Sequence, residues 1–145
     1  MQAFNPPDPG FESRVRSSFN LQQLMKTISA KLVTVNPGEV HIEIPYQEAL
    51  TQQNGFIHAG IITSIVDSAC GYAAYSLMSA ASGVLTVEFK INLLSPAIGD
   101  RFLAIGRVKK PGRTLTVCEG DVFAHTQSEE KLVATMLATM MRLST

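Results

Sequence analysis

Net charge is the first thing this chain lacks. Its twelve basic residues balance twelve acidic ones, so no overall field draws it to nucleic acid or to an anionic membrane surface, and an anionic ligand must be met locally. Cysteine is scarce. Cys70 and Cys118 form no CxxC pair and lie among apolar neighbours, which reads as two reduced, buried thiols in a cytoplasmic protein and excludes a disulfide framework. His41, His58 and His125 show no metal-ligand spacing, so no metal is expected. The chain has no P-loop, no GxGxxG and no GxSxG elbow around Ser64 or Ser68, which sets aside nucleotide-dependent and serine-hydrolase chemistry. Its N-terminus, MQAFNPPDPGFESRVRSSF, lacks the apolar core of a signal peptide. The mainly apolar run over residues 57–77 is broken by His58, Asp67, three serines, a threonine and two glycines, and reads as a buried helix, not a membrane span.

What is present is a chain of 145 residues with 46% hydrophobic content, enough for one globular domain over 1–145. Pro6, Pro7, Pro9 and Gly10 make residues 1–19 an extended N-terminal arm. Leu21, Leu24, Met25 and Ile28 recur at helical spacing after Asn20, a candidate N-cap, and predict a short amphipathic helix over 20–30. Val40, Ile42 and Ile44 alternate with polar residues, as in a half-buried strand. From Ala59 to about Met78 apolar positions fall all round the helical wheel, so this helix is enclosed on most faces. Strand-like runs follow at 87–93, 101–108, 113–124 and 131–142. One strand, one buried helix and then four strands, the last three adjacent, predict an α+β fold, an antiparallel sheet wrapped around one long central helix.

The central stretch 52–76, QQNGFIHAGIITSIVDSACGYAAYS, holds one acid. Between Glu48 and Glu88 no residue but Asp67 has a full formal charge, and a charge is rarely taken from water without a partner or a task. His58 and Asp67 are nine positions apart, which is half a turn in remainder and about 13.5 Å of helix rise. They therefore point to opposite sides. A site using both is reached by two antiparallel copies of the helix related by a twofold axis, in a homo-oligomer with sites at the interface. The helix start offers N–H groups without intrahelical partners and the positive end of the dipole. Ala59 and Gly60 leave that backbone open to a carbonyl, and Gln52 could add an amide donor. The competing account is a structural Asp67 hydrogen-bonded to a neighbour, with His58 as a satisfied helix-start residue.

These residues resemble the hotdog-fold acyl-CoA thioesterases of the phenylacetyl-CoA and 4-hydroxybenzoyl-CoA type. The resemblance spans roughly residues 35–143 and is strongest in 52–76 and in TVEFKINLLSPAIGD. The family carries Gln or Asn six positions before a His-Gly-Gly, and Asp or Glu nine positions after that His. Gln52, His58 and Asp67 match that spacing. The resemblance implies a hotdog fold, Asp67 as catalytic carboxylate and the Ala59 N–H as the group that polarises the thioester carbonyl. It also implies that Gln52 and His58 line the pocket, that Thr86 assists the acid, and that the site crosses a dimer interface. Ala59 departs from the usual Gly, and its methyl narrows the path of the acyl or pantetheine group. Around RVKKPGRT, Arg107, Lys109, Lys110 and Arg113 form a local basic cluster; Lys110 and Arg113 are candidates for the phosphates of coenzyme A, against the alternative of a solvated hairpin turn.

The implied activity is hydrolysis of an aromatic or medium-chain acyl-CoA, with coenzyme A as part of the substrate and no separate cofactor. Two other readings stay open: a non-catalytic acyl-CoA binding module, which gains nothing from a buried carboxylate, and a hotdog hydroxyacyl-thioester dehydratase, which also pairs His with an acid. Phe56, Ile57, Ile61, Tyr72 and Leu94 are the apolar residues expected near the acyl group.

Overall fold

The computed structural model describes residues 3–144. Six strands form one antiparallel sheet: β1 (Lys31–Asn36), β2 (Glu39–Pro45), β3 (Ser82–Leu93), β4 (Arg101–Lys110), β5 (Leu115–His125) and β6 (Glu130–Ser144), in the order β1-β2-β4-β5-β6-β3. The central helix, α3 (Ala59–Ser76), packs against all six strands. This is the α+β hotdog arrangement.

Helix and sheet meet because inward strand positions are apolar and the helix face they meet is small. Ile65, Val66, Ala69, Cys70 and Ala73 of α3 are fully buried against Val40, Ile42, Phe102, Ala104, Val122 and Met140. Closest approach is over two glycines. Gly106 of β4 and Gly120 of β5 are direct cross-strand partners. A Cβ on Gly106 would fall into the Ala69–Cys70 peptide, and one on Gly120 would meet Val66 Cγ2 and Cys70 Sγ. Gly106→Ala is therefore expected to cost about 3 kcal/mol, the upper end for overpacking, because helix backbone cannot rotate out of the way. Gly120→Ala should cost less, since it meets side-chain tips. Equilibrium urea unfolding of both variants checks the order.

The opposite face of α3, carrying Gly60, Ser64, Asp67, Ser68 and Gly71, is only partly covered. The enclosure expected from the helical wheel thus holds for the sheet side alone. The two cysteines are buried free thiols. Burial pushes Cys70 well above its ordinary value and Cys118 up to about 12, so both stay protonated and neither is poised as a nucleophile.

The N-terminal arm ends sooner than the prolines suggest. Residues 11–21 form helix α1 (Phe11–Leu21), followed by α2 (Gln23–Thr27) after an extended Gln22. Asn20 lies inside α1 and caps nothing. Val15 and Phe19 are buried one turn apart, and Asp8 secures the helix start by accepting from the Gly10 N–H at 2.9 Å and Arg14 Nε at 2.8 Å. Arg14 also donates to the carbonyls of Tyr75 (3.2 Å) and Met78 (2.7 Å) and lies over the Tyr75 ring. It thereby adds a donor to carbonyls at and just beyond the end of α3 and fixes α1 on that helix. Strand β1, absent from the expected pattern, pairs with β2 through a turn in which Gly38 has φ +76°, a conformation that favours glycine. Strand β3 starts at Ser82, five residues earlier than expected.

Candidate active site

Helix α3 sets out the site. His58 is its N-cap, with φ −60° and ψ 137°, and its Nδ1 accepts from the Gly60 N–H at 2.8 Å. An accepting Nδ1 places the ring proton on Nε2 of a neutral imidazole. Gly60 therefore has its donor engaged. The Ala59 N–H, one residue earlier, has no acceptor among the described residues and lies at the positive end of the helix dipole. Gln52 stands beside it. Its Oε1 accepts from the Asn54 N–H, which leaves its NH₂ as a donor. Gln52, Ala59, Phe56, Ile57 and Leu94 share a largely apolar cavity of about 390 Å³.

Asp67 faces another cavity, about 380 Å³, with Thr86, Ser64, Ser68, Gly71 and Tyr72 on its walls. Thr86 Oγ1 donates to Asp67 Oδ1 at 2.8 Å. Strand β3 presents Thr86 there because it lies on the inner face opposite Met140, next to a register shift between Thr86 and Glu88. Burial raises the Asp67 carboxyl above its ordinary value of 3.8, partly offset by the Thr86 hydrogen bond, which lowers it. Such a poised carboxylate suits a nucleophile or general base.

Within one chain the structure brings Gln52 to Ala59 and Asp67 to Thr86, but it does not join the two pairs. His58 and Gly60 open onto a third recess shared with Ser64. Edge strand β3 is unpaired on one side among the described residues, with Phe89, Leu93 and neighbouring Leu94 about half exposed.

The basic cluster divides. Arg107 pairs with Glu39 and Lys109 with Glu119, each at 2.8 Å, whereas Lys110 and Arg113 are exposed at the turn. Two further wall residues of the Asp67 cavity, Ser18 and Gln22, come from the segment read as an arm and its junction with the next helix. The spacing of Phe11, Val15 and Phe19 is the signal that could have found them. Among the described residues, no group of three or more His, Cys, Asp or Glu side chains could hold a metal ion, and no helix is long and apolar enough to cross a membrane.

Against known proteins, the sequence profile of the thioesterase superfamily matches residues 54–131. The chain is 37% identical over 97 residues to a Saccharolobus solfataricus protein provisionally named an esterase, covering 67% of this chain and 69% of that one. It is 30% identical over 104 residues to human acyl-coenzyme A thioesterase 13, covering 71% and 72% of the two chains. Among solved structures, a thioesterase family protein from Silicibacter pomeroyi superposes with a TM-score of 0.93 at 51% identity, over 94% of this chain and 100% of that one.

Proposed function

The chain belongs to the thioesterase superfamily and is a thioester hydrolase, and from that premise we propose that it cleaves acyl-CoA thioesters to free acid and coenzyme A at sites shared between two copies. The observation that carries this reading is the Asp67–Thr86 pair, a half-buried acid with one hydroxyl donor, set in a different cavity from the free Ala59 N–H.

A thioester bound between two copies meets both halves. Its carbonyl oxygen accepts from the Ala59 N–H and the Gln52 NH₂ of one copy, where the helix dipole favours developing negative charge. Asp67 of the other copy attacks the carbonyl carbon to give an anhydride that water then opens, or takes a proton from water as it attacks. Either route expels coenzyme A as its thiolate, consumes one water and needs no further cofactor. Twofold pairing along the open edge of β3 would extend the sheet and cover Phe89 and Leu93. Lys110 and Arg113, free of the ion pairs that neutralise their neighbours, are placed to meet coenzyme A phosphates. Two protonated, buried thiols suit a cytoplasmic setting.

Thiol release from a panel of aromatic and aliphatic acyl-CoAs tests this function; binding without release would overturn it. Thr86→Val keeps side-chain shape while deleting the hydroxyl. It is expected to lower kcat/KM about tenfold, as for loss of a hydrogen bond to a charged group. The acid limb of the pH profile should move upward, because the donor that holds the Asp67 value down is gone.

A further inference from the structure

The Asp67 cavity has a second polar end. Tyr72 was expected as part of an apolar lining, and its ring is indeed buried, 4% exposed and edge-on to Phe19 and Tyr75. Its hydroxyl behaves differently. It accepts from Gln22 Nε2 at 2.9 Å and lies 3.3 Å from Ser18 Oγ, and all three residues line the cavity that holds Asp67 and Thr86. The walls of this cavity also include apolar Leu24, Val84 and Leu85. Arg14 fixes the helix that supplies Ser18, so this end wall is built, not a loose surface feature.

We propose that Tyr72 is a specificity-determining residue, held by Gln22 and Ser18, that favours acyl groups ending in a hydroxyl. This rests on the acyl-CoA hydrolase reading above. The Tyr72–Ser18 separation exceeds the roughly 2.7–2.8 Å preferred between hydroxyls and either hydroxyl can be its donor, so the Tyr72 O–H can turn to a ligand oxygen. The Gln22 bond keeps the phenol in place meanwhile. An apolar chain end pushed against this wall displaces water and leaves the phenol, amide and serine without new partners, and a site built for a hydroxyl rejects the analogue that lacks it. Asp67 and Tyr72 are five positions apart on α3, about 7.5 Å of axial rise and about 140° round the axis, and both reach the one cavity. A six-carbon acyl chain with a terminal oxygen is the probe chosen for that rise.

The test compares kcat/KM for hexanoyl-CoA and 6-hydroxyhexanoyl-CoA. Wild type is expected to prefer the hydroxy ester by about ten- to a hundredfold, in the range for satisfying one buried hydrogen-bonding group. Tyr72→Phe should bring the ratio close to one, and Gln22→Leu, acting through Tyr72, should reduce it in part. A wild-type ratio near one overturns the proposal while leaving thioester hydrolysis intact. So does a Tyr72→Phe protein that loses activity equally on both esters, the mark of a purely structural tyrosine. Should wild type release thiol from neither ester, the hydrolase reading fails for these chains, and calorimetric Kd values for the same pair on the Asp67→Asn protein, with and without Tyr72→Phe, decide the end wall on its own: a hydroxyl preference lost with Tyr72→Phe upholds it, and equal Kd values overturn it.

Discussion

Asp67→Asn is expected to slow thiol release from the best acyl-CoA substrate by at least about a hundredfold, the range for loss of a positioned acid or base, while leaving the protein no less stable at pH 7. The two effects share one cause. Burial raises the Asp67 carboxyl above 3.8, and the Thr86 hydroxyl only partly offsets it. A group whose folded value is raised binds its proton more tightly in the folded state, so stability is lost as pH rises from the unfolded value through the folded one. At neutral pH the carboxylate is thus a burden on the fold. Asparagine removes the charge and keeps an oxygen to accept from Thr86. The variant should melt at a Tm at or above that of wild type at pH 7, and the gap should close as pH falls below the ordinary carboxylate value. A structural acid gives the opposite pattern, with lost stability and an unchanged rate on any substrate that is turned over. The same shift moves the acid limb of kcat/KM upward from the ordinary aspartate value, since only ionised Asp67 attacks or accepts a proton.

The sequence showed the central helix, its acid and the four strands after it, because each rests on local periodicity and on the contrast of one charge in an uncharged stretch, but not that β3 takes the edge beside β6. The separation read between His58 and Asp67 also holds in three dimensions: His58 opens onto one recess and Asp67 onto another. What escaped depends on pairing between distant segments. Arg107 and Lys109 look like free cations until β2 brings Glu39 opposite Arg107 and β5 brings Glu119 beside Lys109. Gly106 and Gly120 become one contact only once β4 and β5 are in register. The three prolines drew the arm past Gly10 and hid the Phe11, Val15 and Phe19 stripe, and with it Ser18. The donor roles at the helix start escaped as well, since sequence gives no sign that His58 Nδ1 claims the Gly60 N–H and leaves Ala59 as the open group.

That assignment makes Ala59→Pro a clean deletion. Proline has no N–H, and the first position of a helix is where its absence breaks no intrahelical bond. The residue before it must be extended, and His58 already has φ −60° and ψ 137°. The fold should therefore accept the change, with a Tm close to that of wild type. kcat should nevertheless fall by about 10² to 10³, the loss typical for one oxyanion donor. A rate within about threefold of wild type would move the oxyanion contact elsewhere, to the Gln52 amide first, because threefold is far below what one preorganised donor supplies. The variant also tests the shared site. Ala59→Pro damages the donor half and Asp67→Asn the acid half, so unfolding the two together and refolding them makes mixed dimers in which one of two sites has both halves intact. Random pairing makes half of the dimers mixed, and recovery to about a quarter of wild-type activity follows from twofold symmetry. Two inactive proteins that stay inactive after mixing would instead place donor and acid in the same chain, against their separation into two cavities within one chain.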